Sequence, residues 1–218
     1  MTVPADYVLW GSAGHAKVLA ELISAHGGRV IALFDNLEVP SALTGVPVYY
    51  GRAGFEGWAT QQRHLDQLSG AVAIGGHRGE DRMEILALFR RHGLGVLPLI
   101  HPDASLSRTA SVGAGSQVLA HALVAAEARI GEACIINHGA SVDHECTLGN
   151  GVHVAPGATL CGCVSVGDNV LIGAGAVVLP RISIGANAVV GAGAVVTRNV
   201  ATGATVAGNP ARPVLNEH

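Results

Sequence analysis

The chain has 218 residues, enough for one large or two small domains with a sizeable buried core. Only 13% of the residues are charged, the formal net charge is −3, and Lys and Arg form no cluster, which argues against duplex nucleic acid as a partner. The apolar residues are interrupted by Gly, Asn, Asp or His every few positions, so no segment approaches the ~20 continuous apolar residues of a membrane-spanning helix.

The N-terminal segment predicts a βαβ unit. The opening MTVPADYVLW lacks the charged and apolar regions of a signal peptide, so we expect a cytoplasmic protein. Within the unit, DYVLWG is an apolar strand, GSAGHAK a glycine turn, and VLAELISA a helix that stops at Gly27 and Gly28. RVIALFD is a second buried strand that ends on Asp35, about twenty positions beyond the first glycines.

The glycine turn is a candidate phosphate site. Backbone N–H groups at a helix N-terminus favour a phosphate, and His15 and Lys17 lie close by in the sequence. The pattern Gly11-x-x-Gly14 is nevertheless shorter than the full dinucleotide-binding motif, and a tight turn without a ligand would show the same glycines.

The following segments complete a small Rossmann-like α/β domain over residues 1–104. GVPVYYG predicts an edge strand. FEGWATQQRHLDQL is polar, and its sequence does not decide whether it forms a short helix or a loop. GAVAIGG predicts a strand with a glycine turn, and GEDRMEILALFRRHG an amphipathic helix with acids first, bases last and Gly93 as its stop. VLPLIHPDA is a final strand that leads into the next domain near Ser105.

A six-residue repeat dominates the remainder of the chain. From Val112 to Val196 an aliphatic residue returns at every sixth position, and a small or β-branched residue follows four positions later almost throughout. Glycine also recurs every eighteen residues, from Gly113 to Gly203. Both periods predict a parallel β-helix of triangular section over residues 105–218, with three hexapeptides in each coil. A β-sandwich of buried strands would have no reason to keep a fixed six-residue register.

One coil of this repeat carries an unusual density of chemically active side chains. Asn137, His138, Asp143, His144 and Glu145 fall within nine residues, and one further histidine, His153, lies nine residues beyond the second of these histidines. Nine residues are half a coil, so the latter two histidines cannot stack on one another, although they could meet across a groove between subunits. No carboxylate–histidine spacing here matches a zinc motif, and we expect no metal.

The four cysteines are expected to be reduced and structural. Cys134 and Cys146 occupy the small inward position of the repeat, where a thiol is a small apolar filler. Cys161 and Cys163 are too close in sequence for a typical zinc pair and lack a second pair.

These motifs resemble a known family. The hexapeptide run, INHGASVDHECTLG, HVAPGA and the terminal GNPARP resemble the left-handed β-helix acyltransferases. WGSAGHAKVLAEL and AIGGHRGEDR narrow the resemblance to the bacterial sugar acetyltransferases of bacillosamine and perosamine synthesis and to the sialic-acid O-acetyltransferase group. The resemblance covers nearly the whole chain and alone implies left-handedness. The segment between Leu37 and Ser69 departs in length from the bacillosamine-type enzymes.

The resemblance implies a function that the residues alone do not. It implies an acetyl-CoA-dependent N-acetyltransferase that acts on the 4-amino group of a nucleotide-linked amino-deoxy sugar for surface-glycan synthesis. It also implies a homotrimer with active sites between subunits. O-acetylation of a sugar such as sialic acid stays open, as does a non-catalytic β-helix that binds nucleotide sugars. The nucleotide and the sugar also stay open.

The resemblance further assigns roles to individual residues. His144 corresponds to the catalytic base, Glu145 to the carboxylate that fixes its tautomer, and Gly162 to a backbone N–H donor for the developing oxyanion. Arg82 would border the nucleotide, although a solvated helix face fits it as well. The substrate-binding positions are Gly11, Ser12, Gly14, His15, Lys17, Asp35, Gly75, Gly76, Arg82 and Asn137. The acetyl-CoA positions are His153, Gly173, Gly191 and Asn209, the last within the segment that caps the final coil.

Overall fold

The computed structural model describes residues 6–214. The interpretation of the N-terminal segment as lacking a signal peptide depends partly on residues 1–5, which lie outside the described residues. Among residues 6–214, no helix has both the length and the apolarity needed to cross a membrane.

The N-terminal domain is a four-stranded parallel sheet with helices on both faces. Its strands pair in the order β3-β2-β1-β4. The strands are β1 Asp6–Trp10, β2 Arg29–Asp35, β3 Val48–Tyr50 and β4 Ser69–Val72, and the helices are α1 Gly14–Ala25, α2 Gly51–Ala59 and α3 Gly79–Arg91, with a short 3₁₀ turn at Leu65–Gln67. The predicted edge strand is confirmed as β3. The polar segment after it, whose structure the sequence did not decide, contributes to α2, which begins four residues before that segment.

Two apolar clusters hold this sheet between its helices. Successive residues of a strand face opposite sides, so Leu9 packs with the apolar face of α1 while Trp10 joins an aromatic cluster on the other side. Phe34, Phe55 and Phe89 surround the Trp10 ring with centroids 5.9, 6.0 and 6.3 Å away. Acidic residues in the first turn of α3 and arginines in its last turn match the helix dipole.

From Leu99 onwards, the described residues form the predicted parallel β-helix. Its first face contains β5, β8, β11, β14, β17, β20 and β22 with a short antiparallel β23, its second face β6, β9, β12, β15, β18 and β21, and its third face β7, β10, β13, β16 and β19. The strands are β5 Leu99–Ile100, β6 Ser105–Leu106, β7 Ser111–Val112, β8 Gln117–Val118, β9 Leu123–Val124, β10 Arg129–Ile130, β11 Ile135–Ile136, β12 Ser141–Val142, β13 Thr147–Leu148, β14 His153–Val154, β15 Thr159–Leu160, β16 Ser165–Val166, β17 Leu171–Ile172, β18 Val177–Val178, β19 Ser183–Ile184, β20 Val189–Val190, β21 Val195–Val196, β22 Thr205–Ala207 and β23 Arg212–Pro213.

The register confirms three hexapeptides in each coil. Ile135 pairs with His153 and Arg129 with Thr147, eighteen residues apart in both cases. The repeated aliphatic and small residues form one continuous buried core inside the prism. The ladder begins earlier than expected, because Leu99 already pairs with Gln117 on the first face. The strand predicted as a connection is therefore the first strand of the β-helix.

The two domains pack closely along the first face and the edge between the third and first faces. Gly79, which begins α3, donates its N–H to Asn169 Oδ1 at 2.7 Å. A β-carbon on Gly79 would collide with the carbonyl oxygen of Gly151, so only glycine permits this approach. An exposed ion pair between Arg90 and Glu132, at 2.7 Å, lies at the same junction.

Candidate active site

A pocket of about 370 Å³ opens at the carboxyl ends of β1, β2 and β4. This is where parallel α/β sheets bind ligands. Gly11, with φ +113, forms its floor, and a β-carbon there would overlap the Ala73 carbonyl. The lining residues are Trp10, Gly11, Ala13, Asp35, Asn36, Leu37, Ala73, Ile74, Gly75 and Arg78.

Asp35 lines this pocket and Ser12, which does not line it, is hydrogen-bonded to Asp35. The Asp35 carboxylate accepts the N–H of Ser12 at 2.8 Å and that of Leu37 at 3.0 Å. The Ser12 hydroxyl donates to the Pro40 carbonyl and accepts from the Ala42 N–H, both at 3.0 Å. Both side chains therefore hold the loop after β2 in place.

His15 and Lys17 follow the turn but face in different directions. His15 Nε2 donates to Gln117 Oε1 at 2.7 Å, while the Gln117 amide donates to the Val72 carbonyl at 2.7 Å. Burial lowers the pKa of His15, which favours a neutral ring linking the domains. Lys17 lines a separate open cleft of about 550 Å³, so its expected place beside the phosphate site is not found. Gly14 is the first residue of α1.

Arg82 lies inside the domain junction. Its side chain is 1% exposed. Its guanidinium donates from Nε to Ala133 at 2.9 Å, from Nη1 to Ile74 at 3.2 Å and Gly76 at 3.3 Å, and from Nη2 to Gly151 at 2.5 Å, all backbone carbonyls. Burial lowers the pKa of Arg82 to about 10, so it stays charged at neutral pH. Neither a solvated helix face nor an exposed nucleotide contact fits this position, and the residue instead joins the domains.

Asn137 and His153 form a second polar group on the first face, next to the N-terminal domain. His153 is 7% exposed and its Nδ1 lies 3.4 Å from the Gly76 carbonyl oxygen, which can only accept a hydrogen bond, so Nδ1 carries the proton. The other ring nitrogen, Nε2, therefore accepts from Asn137 Nδ2 at 3.0 Å. Asn137 Oδ1 in turn accepts the N–H of His138 at 2.8 Å. Burial, followed by the Arg82 charge, lowers the pKa of His153 to about 4 and keeps the ring neutral.

His144, Glu145 and Gly162 meet at the edge between the second and third faces. The side chains of His144 and Glu145 are 53% and 57% exposed, and His144 Nδ1 lies 3.2 Å from Glu145 Oε2. A carboxylate can only accept, so Nδ1 carries the proton and Nε2 is left as a base. Hydrogen bonds from the Cys163 thiol and then from His144 lower the pKa of Glu145.

Gly162 lies directly beneath the His144 ring in the next coil. A β-carbon at Gly162 would stand 2.5 Å from His144 Nε2. Its N–H makes no backbone hydrogen bond within the described residues. A free donor beside a free base is the pair that general-base acyl transfer needs.

The polar groups lie on different sides of one prism. Asn137 follows β11 at the edge between the first and second faces, while His144 follows β12 at the next edge. One whole face, up to ~20 Å of extended chain, separates them. The N-terminal pocket lies beyond the first face, opposite the edge that carries His144. A single chain therefore does not bring the base to the pocket.

Gly173 and Gly191 continue the column of Asn137 along the same edge, in steps of eighteen residues. A β-carbon on Gly173 would lie 2.5 Å from the Ala192 nitrogen, so the close stacking of the coils by itself requires glycine here. Asn209 is exposed and precedes Pro210 through a cis peptide at the end of the prism.

Comparisons with known proteins agree with this architecture. The family model of the bacterial transferase hexapeptide (six repeats) matches residues 127–162 and 163–198. A variant of perosamine N-acetyltransferase from Caulobacter crescentus, solved with CoA and GDP-perosamine, is 36% identical, with 97% of each chain covered and a TM-score of 0.88. The acetyltransferase domain of PglB from Neisseria gonorrhoeae, in complex with acetyl coenzyme A, is 33% identical, with 96% of this chain and 99% of that chain covered and a TM-score of 0.85. No curated protein matches the chain.

The chain belongs to the hexapeptide-repeat sugar acetyltransferases. Its β-helix is accordingly the left-handed form of that family. WeeI from Acinetobacter baumannii shares the architecture at 26% identity, with 95% of this chain and 99% of that chain covered and a TM-score of 0.85.

Three residues whose contacts support the domain junction or the candidate site of this sugar acetyltransferase were not singled out from its sequence. Gln117 connects His15 to the sheet, Asn169 caps α3, and Cys163 contacts Glu145 with a sulfur–oxygen distance of 3.2 Å. The signal for Cys163 was the eighteen-residue register, which places it beside Glu145 in the neighbouring coil.

Replacing Gly162 with alanine tests the contact with His144. The added methyl group displaces the imidazole, and a misplacement of this order is expected to lower kcat about 10–100-fold. Gly57→Ala in α2 is the matched control, because no atom lies within 4 Å of the new β-carbon. Steady-state acetyl transfer measures both, and equal activity of the two variants would contradict the role of this contact.

Proposed function

We propose that the chain is a cytoplasmic, acetyl-CoA-dependent N-acetyltransferase that acts on a nucleotide-linked amino-deoxy sugar for surface-glycan synthesis. The observation that carries the proposal is the placement of the His144 ring between Glu145 and Gly162. Its Nδ1 is oriented by Glu145, and its Nε2 lies against Gly162, whose N–H is available. The relatives solved with CoA, acetyl coenzyme A and GDP-perosamine support the two substrates.

In the proposed reaction His144 removes a proton from the sugar amine. As the amine nitrogen attacks the thioester carbonyl of acetyl-CoA, Nε2 takes that proton, and the negative Glu145 stabilises the resulting imidazolium. Negative charge develops on the carbonyl oxygen, towards which the Gly162 N–H donates. Collapse of the tetrahedral intermediate breaks the carbon–sulfur bond, and the CoA thiolate takes the proton back from His144.

The pocket of the N-terminal domain is proposed to hold the nucleotide. Gly11 and Gly75 let the substrate approach the backbone closely, and the N-terminus of α1 favours a diphosphate. Asn137, oriented by His153, would then contact the sugar. Gly173 and Gly191 along the same edge, with Asn209 at its end, would border the extended CoA arm.

A homotrimer is proposed because one chain leaves its polar groups on opposite sides of the prism. If subunits pack side by side, the edge that carries His144 in one chain can meet the pocket of its neighbour and the neighbour's edge between the first and second faces, which carries Asn137. The edge between the second and third faces, which carries His144, is called the catalytic edge. Leu123 on the second face and Leu179 beside the catalytic edge are each 38% exposed and would be covered by this contact.

The direct test is thiol release from acetyl-CoA with a defined amino sugar. GDP-perosamine is the first substrate to try because of the 36% identical relative, with a UDP-linked 4-amino-4,6-dideoxy sugar as the second. We expect turnover with one of them and none with sialic acid. Mass spectrometry of the product distinguishes an amide from an ester. Ester formation, or nucleotide-sugar binding without any acetyl transfer, would contradict the proposal.

A further inference from the structure

Three potential ligand atoms converge at the catalytic edge. The imidazole of His144, the carboxylate of Glu145 and the thiol of Cys163 offer one nitrogen, one oxygen and one sulfur, all within 4.8 Å of one another. Across the described residues no other group of three His, Cys, Asp or Glu side chains meets that condition.

The β-helix itself creates this convergence. Glu145 and Cys163 occupy the same position in neighbouring coils and share a left-handed backbone, with φ of 58° and 61°. Their side chains therefore leave the edge in the same direction, and both Cys163 Sγ and His144 Nδ1 lie 3.2 Å from Glu145 Oε2.

We propose that His144, Glu145 and Cys163 form a reversible inhibitory site for a thiophilic divalent cation of the Zn²⁺ type. Zinc bonds of about 2.0–2.3 Å to nitrogen, oxygen and sulfur place the ligand atoms of one ion roughly 3.3–3.8 Å apart, which modest rotations of these exposed side chains achieve. Three protein ligands leave a fourth position for water. Mg²⁺ and Ca²⁺ are disfavoured because they require oxygen ligands.

The inhibition follows from proton balance at His144 and therefore depends on the proposed function. A cation on Nδ1 displaces the proton that Glu145 holds there, and the neutral ring then carries its only proton on Nε2. The nitrogen that faces Gly162 is no longer a base. The Cys163 thiol also releases its proton to solvent on binding, so the affinity for the metal falls as the pH is lowered.

This site changes one expectation from the sequence. The sequence holds no short ligand spacing typical of a zinc motif. His144 and Glu145 are adjacent, whereas Cys163 lies eighteen residues beyond Glu145 and meets them only because neighbouring coils stack in register. Cys163 is thereby a ligand candidate and not only a structural cysteine.

The test is equilibrium binding of Co²⁺ and Zn²⁺ to the protein without acetyl-CoA or sugar. Co²⁺ is followed by its thiolate charge-transfer absorption, and Zn²⁺ by calorimetry. We expect one ion for each chain, and Cys163→Ser to abolish the thiolate band and weaken Zn²⁺ binding at least ~10-fold. Cys161→Ser is the matched control and should keep both signals, because its thiol is outside the group.

Two outcomes would overturn the metal site. One is the absence of a thiolate band at stoichiometric Co²⁺, and the other is a band that survives in Cys163→Ser. Thermal unfolding of each variant checks the fold. Acetyl transfer is then measured with buffered Zn²⁺, because the CoA thiol also binds the ion. Binding without inhibition would support the metal site but contradict both its inhibitory role and His144 as the base, so the site and the proposed function can fail separately.

Discussion

Replacing His144 with alanine is expected to lower kcat about 10²–10⁴-fold, the contribution typical of a positioned general base. The methyl group that remains cannot take the amine proton. Binding of acetyl-CoA, measured by calorimetry, should be unchanged, since the residue acts on the reacting atoms and is 53% exposed in the free chain. His64→Ala, at an exposed loop position, is the control and should retain full activity.

A mixing experiment with the same variant tests whether the active site is shared between subunits. The second variant in the mixture is Gly75→Leu, which is designed to block the nucleotide pocket and leave His144 intact. No atom lies within 4 Å of the new β-carbon, and the leucine side chain would extend into the pocket. Each variant alone should be inactive. After co-refolding at equal amounts, a random trimer should recover about one quarter of wild-type activity, since a site needs one intact base and one intact pocket. A mixture that stays inactive would contradict an active site between subunits.

Replacing Arg82 with methionine is expected to lower the free energy of unfolding by about 3–5 kcal/mol. Methionine fills much of the same volume but donates no hydrogen bond. The carbonyls of Ala133, Ile74, Gly76 and Gly151 would then lose their donor inside the domain junction. Urea unfolding followed by intrinsic fluorescence measures the change.

Arg90→Met is the matched control for this prediction. Arg90 lies on the same helix and contacts the same β-helix edge through Glu132, but its side chain is 41% exposed. An exposed ion pair contributes only about 0–1 kcal/mol. If the two variants lose equal stability, the buried hydrogen bonds of Arg82 do not hold the domains together.

The β-helix was predictable from sequence because its contacts are local and repeat. Each coil touches only the coils above and below, so one six-residue pattern determines both the inward side chains and the eighteen-residue register. The pairing of Ile135 with His153 follows from that count alone. The same count places Gly162 beneath His144.

The surroundings of Arg82 and Lys17 were not predictable in this way. Whether the first turn of α3 faces solvent or the β-helix is decided by the docking of two domains, which no local pattern encodes. Lys17 follows a glycine turn in sequence, yet the rotation of α1 points it into a different cleft. The contact of Cys163 with Glu145, in contrast, follows from the eighteen-residue count, which was not applied to the cysteines when their role was predicted from the sequence.

The single-register ladder also determines how the molecule can change in length. An insertion of eighteen residues would add one coil, lengthen the prism by about 4.8 Å and leave every later residue on its original face. An insertion of six would move every later residue to the next face. The distance between His144 and the last strand of the first face, Thr205–Ala207, can therefore change only in whole-coil steps if the active-site columns are to persist.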